Sequence, residues 1–217
     1  MRWLSLVAVL ALALPAAANP LERIEIAPEV DAEYDRDAMY GGWRDGDGDC
    51  QNTRHEVLAA ESLLPVTYSE SGCTVKKGLW YGPFTGRTFT DPTFGKVQID
   101  HLVPLKEAHQ SGAHTWTNEK RRRYANDMEN PGHLIAVHGG TNGSKGCRDP
   151  GEWMPPNLGF YCAYVEAWLG VKRKWGLTVE EQEAEAIREI LEDCDDPDER
   201  PNTGNRAVCL APGFVSE

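Results

Sequence analysis

The sequence predicts an α+β fold of short strands and helices, stapled by disulfides. Three observations carry that expectation. Two strand-like runs, Lys96-Val97-Gln98-Ile99-Asp100 and His133-Leu134-Ile135-Ala136-Val137, are separated by two helical stretches. Two longer helical stretches follow them. Six cysteines all lie after an export-type start. At 217 residues and 41% apolar content the chain is long enough to bury a core, which excludes a collagenous or wholly disordered chain.

Met1 to Ala18 has the pattern of a signal peptide. Arg2 precedes the apolar run Leu4 to Leu14, and Ala16-Ala17-Ala18 offers small residues for cleavage. The run is too short to span a membrane. The expected mature chain is therefore secreted or periplasmic. Residues 19–39 are acidic and without a clear period, and read as an arm. Residues 40–194 form the expected main domain, with its core at about 95–150, and 195–217 is a Pro-, Asn- and Asp-rich tail.

Within the domain, Thr53 and Glu56 have capping-box spacing and predict a helix to about Leu64, stopped by Pro65. Val66 to Thr90 mixes β-formers with turn residues, with Pro83-Phe84-Thr85-Gly86 as a turn. Helices are expected at about Leu105 to Gln110, Asn118 to Asn126, from Pro156 onward, and from the Thr178–Glu181 capping box to about Asp193. Gly139-Gly140 reads as a turn. No C-x-x-C pair supports structural zinc, and disulfide connectivity stays open. One hypothesis pairs Cys50 with Cys73, Cys162 with Cys194, and Cys147 with Cys209.

The net charge of −12 means that the overall field does not hold the chain on a polyanion. Charge is uneven, however. Residues 96–176 hold 11 basic and 8 acidic side chains, and both flanks are strongly acidic. The basic runs are Lys120-Arg121-Arg122-Arg123 and Lys172-Arg173-Lys174. Each alone reads as a solvated helix face, but together they flank the densest set of chemistry-bearing residues. That set comprises Asp100-His101-Leu102-Val103-Pro104, Asn126-Asp127, His133-Leu134 and Asn142-Gly143-Ser144-Lys145-Gly146.

This series resembles the HNH endonucleases, the ββα-metal or His-Me finger nucleases, and most closely a group of exported bacterial members. Stretches similar to that group run from Asp47 to Arg54, from Ile99 to Leu105, from Tyr124 to Asp127 and from His133 to Val137, with Glu152-Trp153-x-Pro155-Pro156 fitting as well. The resemblance implies a ββα-metal core with helical additions. It also implies phosphodiester hydrolysis of DNA, or of RNA, with little sequence preference. A neutral imidazole can take a proton from water near neutral pH, which makes His101 the expected general base. Asp100 and Asn142 are the expected ligands of one divalent cation, Mg²⁺ first and Mn²⁺ as an alternative. His133 stands where many members carry Asn and is expected to brace the base's loop. Lys145, with the two basic runs, is expected to meet phosphate or to brace its loop. No membrane span and no obligate protein partner are expected.

Two other functions stay open on sequence grounds: a zinc hydrolase using His101, His133 and His138, and a non-catalytic exported binding module. Asp45-Gly46-Asp47-Gly48-Asp49, with Glu56, partly matches an EF-hand loop, but Cys50 sits where that loop takes glycine. It is read as an acidic turn pinned by Cys50, with Arg54 pairing to these carboxylates. The tryptophans, Trp43 among them, read mainly as core.

Overall fold

The computed structural model describes residues 20–92 and 96–195. The signal-peptide stretch, most of the tail and Cys209 lie outside the described residues. Among the described residues seven α-helices and six strands follow in chain order. They are α1 (Arg36–Met39), α2 (Thr53–Ala60), β1 (Thr67–Tyr68), β2 (Val75–Lys77), β3 (Trp80–Gly82), β4 (Arg87–Phe89), β5 (Val97–His101), α3 (Leu105–Gln110), α4 (Asn118–Ala125), β6 (Leu134–His138), α5 (Gly139–Lys145), α6 (Tyr161–Trp175) and α7 (Glu181–Asp195). The strands form three two-stranded antiparallel sheets: β1–β2, β3–β4 and β5–β6.

The β5–β6 hairpin is the centre of the fold. Its register sets Val97 opposite His138, Ile99 opposite Ala136, and His101 opposite Leu134. Side chains alternate along a strand, so those pairs share one face and Gln98, Asp100, Ile135 and Val137 the other. The first face packs with Val57 and Leu58 of α2, Val75 and Trp80. Ile135 and Val137 on the second face join the larger core built on α3, α4, α6 and α7. A hairpin buried on both faces explains why β6 reads as a nearly continuous apolar run.

Helix ends differ from the expected ones in instructive ways. Asn52 caps α2, accepting the His55 N–H, while the Thr53 hydroxyl donates to the Arg44 carbonyl. The helix stops at Ala60, leaving Leu63 and Leu64 exposed. Gly139 and Gly140 open α5 rather than forming a turn, with His138 Nδ1 accepting the Gly140 N–H at 3.2 Å. Gly146, at φ 61°, ends that helix. On α6, Tyr164, Trp168 and Lys172 fall one turn apart and are fully buried on one face.

The acidic N-terminal stretch is not a free arm. Leu21 and Ile24 enter the larger core, and Ile26 bridges Val179 in parallel. The Val30 N–H donates to the Gln110 carbonyl at 3.0 Å, and the His109 ring bonds both the Glu33 carbonyl and the Tyr40 hydroxyl. Disulfides join Cys50 to Cys73 and Cys162 to Cys194, the latter tying α6 to α7. Cys147 is exposed and carries no disulfide among the described residues, so the Cys147–Cys209 pairing gains no support. Among the described residues no helix is long and apolar enough to cross a membrane.

Candidate active site

His101 ends β5 and is almost wholly buried. Its Nε2 lies 2.9 Å from the Ala125 carbonyl. A carbonyl only accepts, so Nε2 carries the proton and Nδ1 its lone pair. The imidazole lies flat on the Trp43 indole, with centroids 5.1 Å apart and planes 3° apart. Burial, then the neighbouring His133, Arg36 and Lys145, hold its pKa well below the usual imidazole value. The ring is therefore neutral at pH 7, with Nδ1 as its basic atom. It lines a pocket of about 30 Å³ with Arg36, Gly41, Gly42, Trp43, Leu105 and Ala125, enough for a water molecule.

Trp43 holds its place through Asn126. The Asn126 Oδ1 accepts the Arg44 N–H at 2.9 Å, and its Nδ2 donates to the Arg122 and Gly42 carbonyls. Asp127 is also spent structurally, on Lys174, the Trp175 indole N–H and the Glu129 N–H. His133 is fully buried. Its Nε2 donates to the Tyr124 carbonyl at 2.7 Å, and its ring meets Tyr124 and His101 edge to face. Burial pushes its pKa down to about 4. The two histidines thus take the adjacent terminal carbonyls of α4, and the His133 carbonyl accepts the Leu102 N–H at 2.8 Å. His133 Nδ1 has no hydrogen-bond partner among the described residues.

Asp100 points to the opposite face, as the alternation of a strand requires. There it meets α5. Lys145 Nζ lies 2.5 Å from Asp100 Oδ2 and 2.9 Å from the His101 carbonyl, and is fully buried. Asn142, one turn earlier on α5, donates its Nδ2 to Gln98 Oε1 at 2.8 Å. Of the two roles expected for Lys145, this geometry matches the brace, and its buried charge is spent on Asp100 rather than turned toward a phosphate. The helix sets Lys145, not Asn142, directly against Asp100.

The basic runs divide by helix face. Arg121 is buried: its guanidinium donates to the Ala113 and His114 carbonyls and to Asn118. Lys172 is buried between Glu107 and Glu183, at 2.7 Å from each. Lys174 is paired with Asp127. Arg121 and Lys172 are thus corrected from nucleic-acid contacts to internal staples, because a helix turns one residue of each run inward. Arg123 and Arg173 are exposed, Arg122 is half-buried, and Lys120 lies over the Trp116 ring. Arg54 is turned toward the backbone beside β5. It donates to the Pro92 and Val97 carbonyls.

The three-histidine zinc arrangement fails on register. His138 is exposed and sits opposite Val97, at the far end of the hairpin from His101. Two carboxylate clusters exist among the described residues. Asp45, Asp47 and Asp49 are exposed, and Cys50 takes the left-handed φ of 75° that an EF-hand loop gives to glycine. Asp45 accepts the Gly48 and Cys50 N–H groups. Glu29, Glu107 and Asp149 form the second cluster, which Lys172, Ser111 and Gln110 satisfy from within. Burial and the neighbouring Glu107 push the Glu29 carboxyl up to about 9.

Sequence reasoning did not single out Arg36 or the Ala125 carbonyl, and it read Trp43 as core. A tryptophan just before an acidic loop is a weak signal. Its partner, His101, is more than fifty residues away.

Residues 53–190 match the family described as GmrSD restriction endonucleases, C-terminal domain. A protein of Arthroderma benhamiae named "Uncharacterized secreted protein" is 37% identical over 161 residues, covering 74% of this chain and 76% of that protein. No solved structure matches.

Proposed function

The chain belongs to the GmrSD restriction endonuclease C-terminal domain family, and from that premise we propose that it is an exported HNH-type endonuclease. Its substrate in this proposal is nucleic acid, DNA first, cut with little sequence preference. The observation that carries the reading is the His101 pocket. A neutral imidazole has one nitrogen fixed on a carbonyl and the other left basic, beside a space that fits one water.

In this mechanism His101 Nδ1 takes the proton of the attacking water; the resulting hydroxide bonds to the phosphorus as the bond to the leaving oxygen breaks, and that oxygen takes a proton from solvent water. Trp43 and the Ala125 carbonyl hold the ring so that its base is pre-oriented. His133 and Leu102 lock the loop that carries it. Once protonated, the imidazolium is stabilised by the Trp43 face.

The donors near Asp100 are of the kind that a hard cation takes. Asp100 Oδ1 has no partner among the described residues, and Asn142 keeps its Oδ1 because only its Nδ2 is used. Two oxygen ligands beside a lysine make a weak site that substrate phosphate and water would complete. A divalent cation held there would polarise the phosphate and stabilise the leaving oxyanion. His101 and Asp100 are adjacent at one strand end and lie on its opposite faces. Two disulfides and a secreted relative support export.

The test is incubation of the oxidised mature chain with supercoiled plasmid and with RNA, in Mg²⁺, in Mn²⁺ and in EDTA. Metal-dependent nicking of the plasmid is the expected result. An intact plasmid and intact RNA in every metal would overturn the reading.

A further inference from the structure

Two arginines near the His101 pocket, Arg36 and Arg122, have no ion-pair partner among the described residues. Arg36 opens α1, is exposed and lines the pocket. Arg122, on α4, packs its side chain over Gly41, and its Nε is 3.7 Å from where a Cβ on Gly41 would sit. Gly41 also lines the pocket, and its N–H donates to the Arg36 carbonyl at 3.2 Å. Neither guanidinium makes an ion pair or a side-chain hydrogen bond among the described residues.

Their neighbours are not in that position. Arg44 holds both oxygens of Glu119, at 3.1 and 3.2 Å, and so occupies the carboxylate that Arg122 would otherwise reach. Arg121 and Lys174 are likewise engaged. Asp35, next to Arg36, turns its Oδ1 to the Ala38 N–H as the cap of α1. The Gly41 backbone, at φ 69°, is held by Arg36 on one side and Arg122 on the other. Gly42 follows and is anchored by Asn126. Two arginines unpaired among the described residues therefore adjoin the side-chain-free stretch Gly41-Gly42, which lines the pocket holding the base.

We propose that Arg36 and Arg122 form a phosphate clamp across Gly41-Gly42 that positions a nucleic-acid phosphodiester over the His101 pocket. The proposal rests on the nuclease reading and extends it. Guanidinium is the group suited to the task, because its fork meets two phosphate oxygens at once. Arg36 and Gly41 precede the residues that match the family, 53–190, so half of the clamp comes from the N-terminal segment docked on the domain. Both arginines are positioning residues and neither touches the transferred proton.

The test uses the oxidised mature chain and a short DNA duplex at several salt concentrations. Arg36→Ala and Arg122→Ala are each expected to raise KM about tenfold, a lost charge-assisted bond, with kcat within about twofold. Each should also lower the slope of log(kcat/KM) against log salt by about one. Arg36→Lys should restore the slope while recovering only part of the affinity. Duplex binding is measured in parallel on His101→Ala and on His101→Ala combined with each arginine variant. If the duplex is never cut, but the arginine variants still weaken binding with the reduced slope, the clamp stands and the nuclease reading falls. If KM, binding and salt slope are unchanged, or if kcat alone falls, the clamp is wrong. Arg36→Gln and Arg122→Gln replace any alanine variant whose melting temperature drops.

Discussion

Replacing Lys172 with methionine separates an internal staple from a nucleic-acid contact. The side chain keeps its length and loses its charge. Lys172 Nζ is fully buried at 2.7 Å from both Glu107 and Glu183, and it also donates to the Thr178 carbonyl at 2.9 Å. Removing one member of a buried ion pair costs about 3–5 kcal/mol, because the partner charge is left unpaired. Here two carboxylates lose their partner, so a deficit of about 4 kcal/mol at pH 7.5 is expected. For a domain of this size that lowers the melting temperature by about 8–16 °C. The Glu183 carboxyl is already pushed up to about 7, chiefly by burial. Its folded pKa is raised, so its favourable protonated state is present below the unfolded value and is lost as pH rises through about 7. At pH 5 it holds a proton and needs the lysine less, so the deficit shrinks. The assay is thermal and urea unfolding of the oxidised chain at pH 5 and 7.5, with Arg173→Ala as an exposed control. A Lys172→Met protein within about 1 kcal/mol of the parent at pH 7.5, yet weaker on nucleic acid, would refute the assignment.

Two further outcomes follow from burial and covalent closure. Glu61 accepts the Ala136 N–H at 2.6 Å, and burial pushes its carboxyl up to about 7. Glu61→Gln keeps an acceptor and cannot ionise. It should match the parent at pH 4.5 and be more stable at pH 8 by about 1–3 kcal/mol, as read from urea unfolding; equal stability at both pH values would contradict the burial argument. Replacing Cys162 and Cys194 together with serine opens a 32-residue separation between α6 and α7 and should cost about 3–4 kcal/mol, measured by urea unfolding under non-reducing conditions. An unchanged unfolding midpoint would show that helix packing alone holds α7.

Much of the fold was legible because it is local. β5, β6 and α3 follow from alternation and apolar spacing, and α3 begins and ends where expected. α5 was not legible: Gly139, Gly140 and Gly143 are poor helix formers, and the helix is held by Lys145 reaching across to Asp100. The N-terminal stretch lacked a period because its attachment is by backbone bonds to Gln110 and Val179, which no side-chain pattern displays. The adjacency of Asp100 and His101 on a strand fixed their opposite directions in advance. What lies opposite them is non-local: Lys145 is 45 residues from Asp100 and Trp43 still further from His101. The basic runs misled for a simpler reason. Run composition does not say which residue a helix turns inward, and Arg121 and Lys172 are those residues.

We propose His101 as the base of a nuclease. Its most direct test is single-turnover plasmid nicking by His101→Ala beside the parent, in Mg²⁺, with melting curves confirming that both are folded. A loss of about 10²–10⁴ in rate is expected for the folded variant, the usual contribution of a positioned base. A folded His101→Ala protein that nicks at the parent's rate would contradict it.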